Sequence, residues 1–145
     1  MKISHVAPLT LLLVEDNPAD VFLVKEAMRE EGLACEFHAV EDGEKAMAFM
    51  DRMDAGDEAP PDLLLLDLNV PRKSGDEVLV RIRKSPKCSN VAIIVITSSD
   101  SPHDRQRAKE LGADEYFRKP ANLEQFMELG KLARRVTEKC RGAVV

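Results

Sequence analysis

Short apolar runs alternate along the chain with longer stretches in which apolar and polar residues mix. Two of the runs, Leu63–Leu66 and Val91–Ile96, are continuously apolar, which is typical of strands covered on both faces of a sheet. The second is also rich in β-branched residues, which favour strands. The pattern predicts five strands, at Leu9–Val14, Cys35–Val40, Leu63–Leu66, Val91–Ile96 and Glu115–Phe117.

Helices are predicted between these strands from their end signals and apolar stripes. Asn17-Pro18 indicates a helix start, because proline suits the first turn, and Gly32 indicates the end of that helix. Asn122 is a typical N-cap for the last helix, which is expected to reach about Lys139. The other helices are predicted at Gly43–Met53, Ser74–Lys84 and Pro102–Leu111. The inward-facing residues of the first three helices are predicted to be Val21, Val24, Met28, Ala46, Phe49, Met50, Met53, Val78, Leu79 and Ile82.

This alternation of strand and helix repeats five times and predicts an α/β fold. Repeated βα units form a parallel sheet with right-handed crossovers and helices on both faces, so the expected architecture is a doubly wound five-stranded sheet. The 145 residues suffice for one domain, with a core over about residues 9–139. The polar loop at Asp54–Pro61 is the longest break in the pattern.

Polar side chains stand at or just beyond the ends of four predicted strands. Glu15-Asp16 follows the first strand, and Asp67, Thr97 and Lys119 follow the third, fourth and fifth. The carboxyl ends of parallel strands form the crevice where ligands bind in such sheets, so these groups are expected to meet there. Carboxylates placed so closely repel one another unless a cation lies among them.

The oxygen-rich character of this cluster predicts a Mg²⁺ site. Asp16 and Asp67 are candidate direct ligands, Glu15 is a candidate for holding a metal-bound water, and the backbone carbonyl of Asn69 would complete the shell. Asp67 is the predicted nucleophile, because carboxylates form acyl phosphates. The Lys119 ammonium and the Thr97 hydroxyl would contact the phosphoryl oxygens.

Taken singly, each of these residues also has an ordinary structural interpretation. Asp16 would cap the first helix, Asp67 would be a polar strand end, Thr97 an ordinary β-branched strand residue and Lys119 a surface lysine. Their joint placement at four strand ends favours a functional cluster.

Composition limits the other possibilities. The net charge of −5 combines an acidic half, residues 1–71 at −11, with a basic half at +6. The bases near the C-terminus are interpreted as the solvated face of a helix rather than as a nucleic-acid surface, and Trp is absent. Scattered Cys35, Cys88 and Cys140 predict reduced thiols and a cytoplasmic location. No apolar segment has the length of a signal peptide or of a membrane span.

Four motifs in order resemble the receiver domain of bacterial two-component response regulators. They are Leu12–Asp16, Leu65–Pro71, Ile96–Ser99 and the stretch from Leu111–Asp114 to Lys119-Pro120. The resemblance covers nearly the whole chain and implies a flavodoxin-like (βα)5 fold. It also implies that Asp67 accepts a phosphoryl group from the phosphohistidine of a sensor histidine kinase. Mg²⁺ would be held by Glu15, Asp16, Asp67 and the Asn69 carbonyl, with Thr97 and Lys119 at the phosphoryl group.

The same resemblance implies a conformational switch. Tyr116 falls at the family's switch aromatic and would turn inward when Thr97 moves toward the phosphoryl group. The alternative is a plain half-buried strand aromatic. The Lys119-Pro120 peptide bond would be cis, as in the family. Asn69 and Ser99 fall where family members vary, so they are expected to influence hydrolysis of the phosphoaspartate.

Two features point to a particular kind of receiver. From Asp16 to Asp67 is 51 positions, several more than in compact regulators, and the surplus is assigned to the Asp54–Pro61 loop and the end of the second helix. Pro18-Ala19-Asp20 and Pro71–Gly75 resemble the small regulators that partner phytochrome-type histidine kinases. With no output domain expected within residues 1–145, the signal would leave through a protein surface.

The last helix suggests one such surface. Phe126, Ala133 and Cys140 are predicted to face the sheet, whereas Leu129, Leu132 and Val136 form a second stripe that would stay partly exposed. An exposed apolar stripe is typical of an interface, so a homodimer through the fourth helix, fifth strand and fifth helix is expected. The alternative is that one wide core-facing stripe includes both sets.

The predicted function is therefore a phosphorylation-dependent switch with only Mg²⁺-dependent self-phosphorylation and autodephosphorylation. An alternative is a relay or sink that passes the phosphoryl group to a histidine phosphotransfer protein. A phosphatase with an Asp nucleophile would want a second acid two positions on, where this chain has Asn69. A nucleotide or flavin site is disfavoured, because the first turn lacks glycines and its acids would repel a pyrophosphate.

Overall fold

A computed structural model describes residues 8–72, 74–88 and 90–140. Of the sequence predictions, Lys73 within Pro71–Gly75 and the two termini of the expected domain lie outside these residues. The described chain forms five strands, which are β1 (Leu9–Val14), β2 (Cys35–Val40), β3 (Leu63–Asp67), β4 (Ala92–Thr97) and β5 (Glu115–Arg118). Its helices are α1 (Pro18–Glu30), α2 (Gly43–Asp54), α3 (Gly75–Lys84), α4 (Pro102–Glu110), α5 (Leu123–Phe126) and α6 (Glu128–Cys140).

The five strands form one sheet in the order β2-β1-β3-β4-β5, and every neighbouring pair is parallel. This confirms the predicted doubly wound fold. The central strands β3 and β4 are buried along their whole length, as their continuous apolar sequences predict. The edge strands β2 and β5 are only partly buried.

Helices cover both faces of the sheet because alternate strand residues point to opposite sides. On one face, Leu12 and Leu64 pack with the apolar stripes of α2 and α3. On the other face, Leu11 and Leu63 pack with α1, α5 and α6. All the inward-facing residues predicted for α2 and α3 are buried, and in α1 only Val21 is partly exposed.

Side-chain caps set the starts of the helices at the predicted positions. The Asn17 side chain accepts a hydrogen bond from the Ala19 amide, and Ser74 with Glu77 forms a capping box at α3. The helix predicted from Asn122 is divided into α5 and α6, with Met127 between them. Among the described residues, no helix combines the length and apolarity that a membrane span requires.

Two predictions about the C-terminal third are wrong. Leu129 and Val136 are buried rather than partly exposed, because α6 packs on α1 as well as on the sheet. The alternative, one wide core-facing stripe, is therefore correct. Of the apolar residues predicted for the two stripes, only Leu132 and Cys140 are partly exposed. The Lys119–Pro120 peptide bond is trans rather than cis, and trans is the lower-energy form of an X–Pro bond.

Candidate functional site

The strand register brings the predicted site residues to one edge of the sheet. Asp67 ends β3 opposite Ile96 of β4, and Thr97 ends β4 opposite Arg118 of β5. Glu15 directly follows β1 and extends its pairing with β2. Lys119 follows β5, and its amide donates to the Thr97 carbonyl at 2.7 Å. Four strand ends therefore place their polar residues around one small space.

Three carboxylates of this space form a cluster that fits a metal ion. Oxygen atoms of Glu15, Asp16 and Asp67 all lie within 4.8 Å of one another. Glu15 and Asp67 are buried, whereas Asp16 is exposed and leaves the cluster open to solvent. The N-cap of α1 is Asn17, so capping does not account for Asp16. Hard oxygen donors around one open position suit Mg²⁺ or a similar divalent cation.

The Lys119 ammonium lies among these carboxylates. Its Nζ donates to Glu15 Oε1 at 2.8 Å, to Asp20 Oδ2 at 2.8 Å and to Asp67 Oδ2 at 3.0 Å. Its side chain is 11% exposed, so these bonds form in a poorly hydrated environment and are strong. Lys119 thereby neutralises part of the acid cluster and lies within reach of any group attached to Asp67.

Burial and hydrogen bonds between charged groups shift the pKa values of Glu15 and Lys119 in opposite directions. Burial raises the pKa of Glu15 to about 7, although its hydrogen bond from Lys119 opposes the shift. Burial alone would lower the pKa of Lys119, but hydrogen bonds to Asp20, Glu15 and Asp67 outweigh it and raise that pKa. The ammonium therefore stays charged, and a cation close to Glu15 favours the charged form of that carboxyl.

Both carboxylate oxygens of Asp67 accept hydrogen bonds. The Asn69 amide donates to Asp67 Oδ1 at 2.9 Å, while Lys119 takes Oδ2. The Asn69 side chain lies 3.4 Å from Thr97 Oγ1, which also accepts from the Ser99 amide at 3.2 Å. Thr97 is fully buried and close to the phosphoacceptor candidate through Asn69. The predicted Asn69 carbonyl ligand stays a prediction.

Tyr116 lies in β5 opposite Val95, two register positions from Thr97, and is half-buried. Its hydroxyl donates to the Ser99 carbonyl at 3.0 Å, and the Arg105 guanidinium lies 4.5 Å from its ring centroid. Burial raises the pKa of Tyr116. Ser99 thus connects the ring to Thr97, because its amide bonds the Thr97 hydroxyl and its carbonyl bonds the Tyr116 hydroxyl.

One residue of the site was missed by sequence reasoning. Asp20 lies in the first turn of α1 and bonds Lys119, but it belongs to no strand end. Its place in the first turn of the predicted helix was the available signal, but that place alone does not show which way the side chain points.

A comparison with protein families matches most of the chain. A family model described as the response regulator receiver domain matches residues 11–130. The chain belongs to this family.

Two known proteins are particularly similar to this receiver domain. Response regulator Rcp1 from Synechocystis sp. is 36% identical over 123 residues, which cover 84% of this chain and 84% of Rcp1. The crystal structure of the phosphorylated cyanobacterial phytochrome response regulator RcpA has a TM-score of 0.80 at 33% identity. That match covers 96% of this chain and 98% of the RcpA chain.

A solved relative also contains a divalent metal. The Mn²⁺-bound form of response regulator Rcp1 has a TM-score of 0.77 at 32% identity, with 95% of this chain and 98% of that chain covered. The acid cluster of this receiver domain fits the same class of ion. The resemblance to response regulators, including those related to phytochromes, is therefore confirmed.

Proposed function

We propose that this receiver domain accepts a phosphoryl group on Asp67 from a sensor histidine kinase in the presence of Mg²⁺. The observation that carries the proposal is the buried Asp67 carboxylate, which lies in an acid cluster and beside the Lys119 ammonium. The phosphoacceptor and the group that neutralises its product are thus already within hydrogen-bond distance.

The transfer makes one bond and breaks one. An Asp67 carboxylate oxygen attacks the phosphorus, the P–N bond to the donor histidine breaks, and its electron pair stays on the imidazole nitrogen. Lys119 and the Thr97 hydroxyl orient and neutralise the phosphoryl oxygens, while the Asn69 amide holds the other side of the carboxylate. Later, water attacks the phosphorus, and the P–O bond breaks to return the Asp67 carboxylate and release inorganic phosphate.

Mg²⁺ would be held by Glu15, Asp16, Asp67 and the Asn69 carbonyl. When bound, it supplies positive charge that offsets the negative charge on the phosphoryl oxygens. The acid cluster supports this assignment, because its three carboxylates need more positive charge than Lys119 alone provides.

The output of the switch is proposed to pass through Ser99. Movement of Thr97 toward a phosphoryl group would pull the Ser99 amide and free the Tyr116 hydroxyl from the Ser99 carbonyl. The ring could then turn inward and change the surface formed by α4 and β5. The homodimer predicted from the sequence would use this surface. The stripe on α6 that supported that prediction is largely buried in the structure.

The relatives support a kinase of the phytochrome type as the donor, because RcpA is described as a cyanobacterial phytochrome response regulator. A cytoplasmic location goes with this proposal, since the kinase needs ATP. The second candidate, a relay or sink, uses the same Asp67 chemistry. Transfer of radiolabelled phosphoryl from this protein to a histidine phosphotransfer protein, at a rate above its hydrolysis, would favour the relay.

Intact mass after incubation with acetyl phosphate tests the phosphoacceptor directly. The native chain should gain one phosphoryl group with Mg²⁺ but not with EDTA, and Asp67→Asn should gain none. Asp57→Asn is a matched control, because this exposed aspartate lies in the loop that leads into the opposite end of β3. An adduct that persists in Asp67→Asn, or a native chain without one while a known receiver reacts, would contradict the proposal.

A further inference from the structure

Asp20 contacts the site from outside the carboxylate cluster that fits a metal. Its Oδ2 lies 2.8 Å from Lys119 Nζ, and its side chain is 20% exposed. The clustered oxygens belong to Glu15, Asp16 and Asp67, so Asp20 is a fourth acid whose described contact at the site is with the ammonium. It approaches Lys119 from the first turn of α1, whereas Glu15 and Asp67 approach from the strand ends.

The ammonium and a divalent cation need the same oxygens. Two of the three carboxylates that bind Lys119, those of Glu15 and Asp67, also belong to the metal cluster. An ammonium bound to these two alone would compete with an incoming metal ion. A third carboxylate outside the cluster gives the ammonium a partner that it keeps while Glu15 and Asp67 turn to the metal.

We propose that Asp20 is a positioning residue that draws the Lys119 ammonium off Glu15 and Asp67 and so strengthens Mg²⁺ binding by those carboxylates. Asp20 would strengthen Mg²⁺ binding in two ways. The charge of Asp20 attracts the ion, and its bond to Lys119 reduces the competition for the ligand oxygens. The role rests on the proposed function, because it assumes that Glu15 and Asp67 hold the metal.

A Mg²⁺ titration without any phosphodonor tests the role, with the amide NMR signal of Asn69 as the readout. Asp20→Asn keeps the size and a hydrogen-bond acceptor but removes the charge, and should raise the Mg²⁺ dissociation constant about threefold or more. Glu41→Gln is the matched control, since Glu41 lies on the cleft beside Glu15 and Asp16 but pairs with Lys45. It should have a much smaller effect, because an exposed charge is screened. Asp20→Glu keeps the charge and should bind Mg²⁺ with the affinity of the native chain.

The coupling to Lys119 is measured by repeating Asp20→Asn in a Lys119→Met chain. There its effect should become clearly smaller, because no ammonium remains to be displaced and only the attraction between the Asp20 charge and the ion is left. An undiminished effect would overturn the proposal, and so would equal effects of Asp20→Asn and Glu41→Gln in the native background. The comparison of Asp20→Asn with Glu41→Gln in the native background tests the proposal even if the Lys119→Met chain does not fold. A native chain that binds no Mg²⁺ overturns both this role and the proposed metal site, whereas equal effects in a chain that binds Mg²⁺ overturn this role alone.

Discussion

The Lys119 ammonium lies 3.0 Å from Asp67 Oδ2, across 52 positions of sequence. The same ammonium bonds Glu15, whose side chain is completely buried. Removing it would leave the Glu15 and Asp67 carboxylates without the ammonium that both of them bind. This contact is therefore expected to matter for stability as well as for phosphoryl chemistry.

Lys119→Met should lower the free energy of unfolding by about 3 kcal/mol at pH 7 in EDTA, because a buried charged group loses its partner. Millimolar Mg²⁺ should restore part of the loss, since the ion binds the folded chain and replaces the missing charge. Urea denaturation with and without Mg²⁺ measures both effects. Lys45→Met is the control, because Lys45 forms an exposed pair with Glu41 and should matter little. A Lys119→Met chain as stable as the native one in EDTA would contradict the prediction.

Tyr116 is the only tyrosine and the chain has no tryptophan, so intrinsic emission reports on this residue alone. If Thr97 moves on phosphorylation and the ring turns inward, acrylamide should quench the emission less after acetyl phosphate and Mg²⁺ are added. Thr97→Ala should still carry the phosphoryl group by mass but lose the change in quenching, because the route from Thr97 to Ser99 is cut.

A second buried threonine provides the control for that experiment. Thr137 lies in α6, and its hydroxyl donates to the Ala133 carbonyl at 2.8 Å. Thr137→Ala should therefore keep the full quenching change. An equal change in Thr97→Ala would show that Tyr116 responds without Thr97 and would reject the proposed route.

The strand ends of the site were predictable because sheet geometry alone brings them together. Asp67, Thr97 and Lys119 each follow an apolar run, and parallel strands end at one edge. Asp20 was not predictable in this way, because its contact depends on the tilt of α1 against the sheet. That tilt is set by tertiary packing and leaves no local signal in the sequence.

The error on the last helix has a similar cause. The sequence places the apolar residues Leu129 and Val136 on one stripe of the helix. It does not show how many other elements pack against that helix. Here α6 packs on α1 as well as on the sheet, so the apolar stripe is wide enough to bury both residues. Arg134 marks this second contact, since it donates to the carboxylate and to the backbone carbonyl of Glu31.

Gly130 permits the close approach of α6 to α1. A Cβ atom at this position would clash with the Ala27 carbonyl oxygen and lie 2.9 Å from Glu31 Cβ. Gly130→Ala should destabilise the chain by about 2 kcal/mol, because backbone must move and the strain exceeds the gain in helix propensity. Lys131→Ala, at the exposed neighbouring position of the same helix, is the control and should have little effect on the melting temperature. A Gly130→Ala chain that melts at or above the native temperature would show that the two helices adjust freely.

The Cys35 thiol should react slowly with iodoacetamide at neutral pH. Burial raises its pKa to about 11, so the thiol form prevails below that pH and the reactive thiolate is scarce. Between pH 7 and 9.5 the alkylation rate, followed by peptide mass mapping, should rise about tenfold per pH unit without a plateau. The same chain in urea is the control, because exposure returns the thiol to its ordinary pKa and should speed the reaction at pH 8 about a hundredfold. A plateau near pH 9 in the folded chain would mean that Cys35 is solvated there, and that the edge of the sheet between α1 and β2 is more open than its packing indicates.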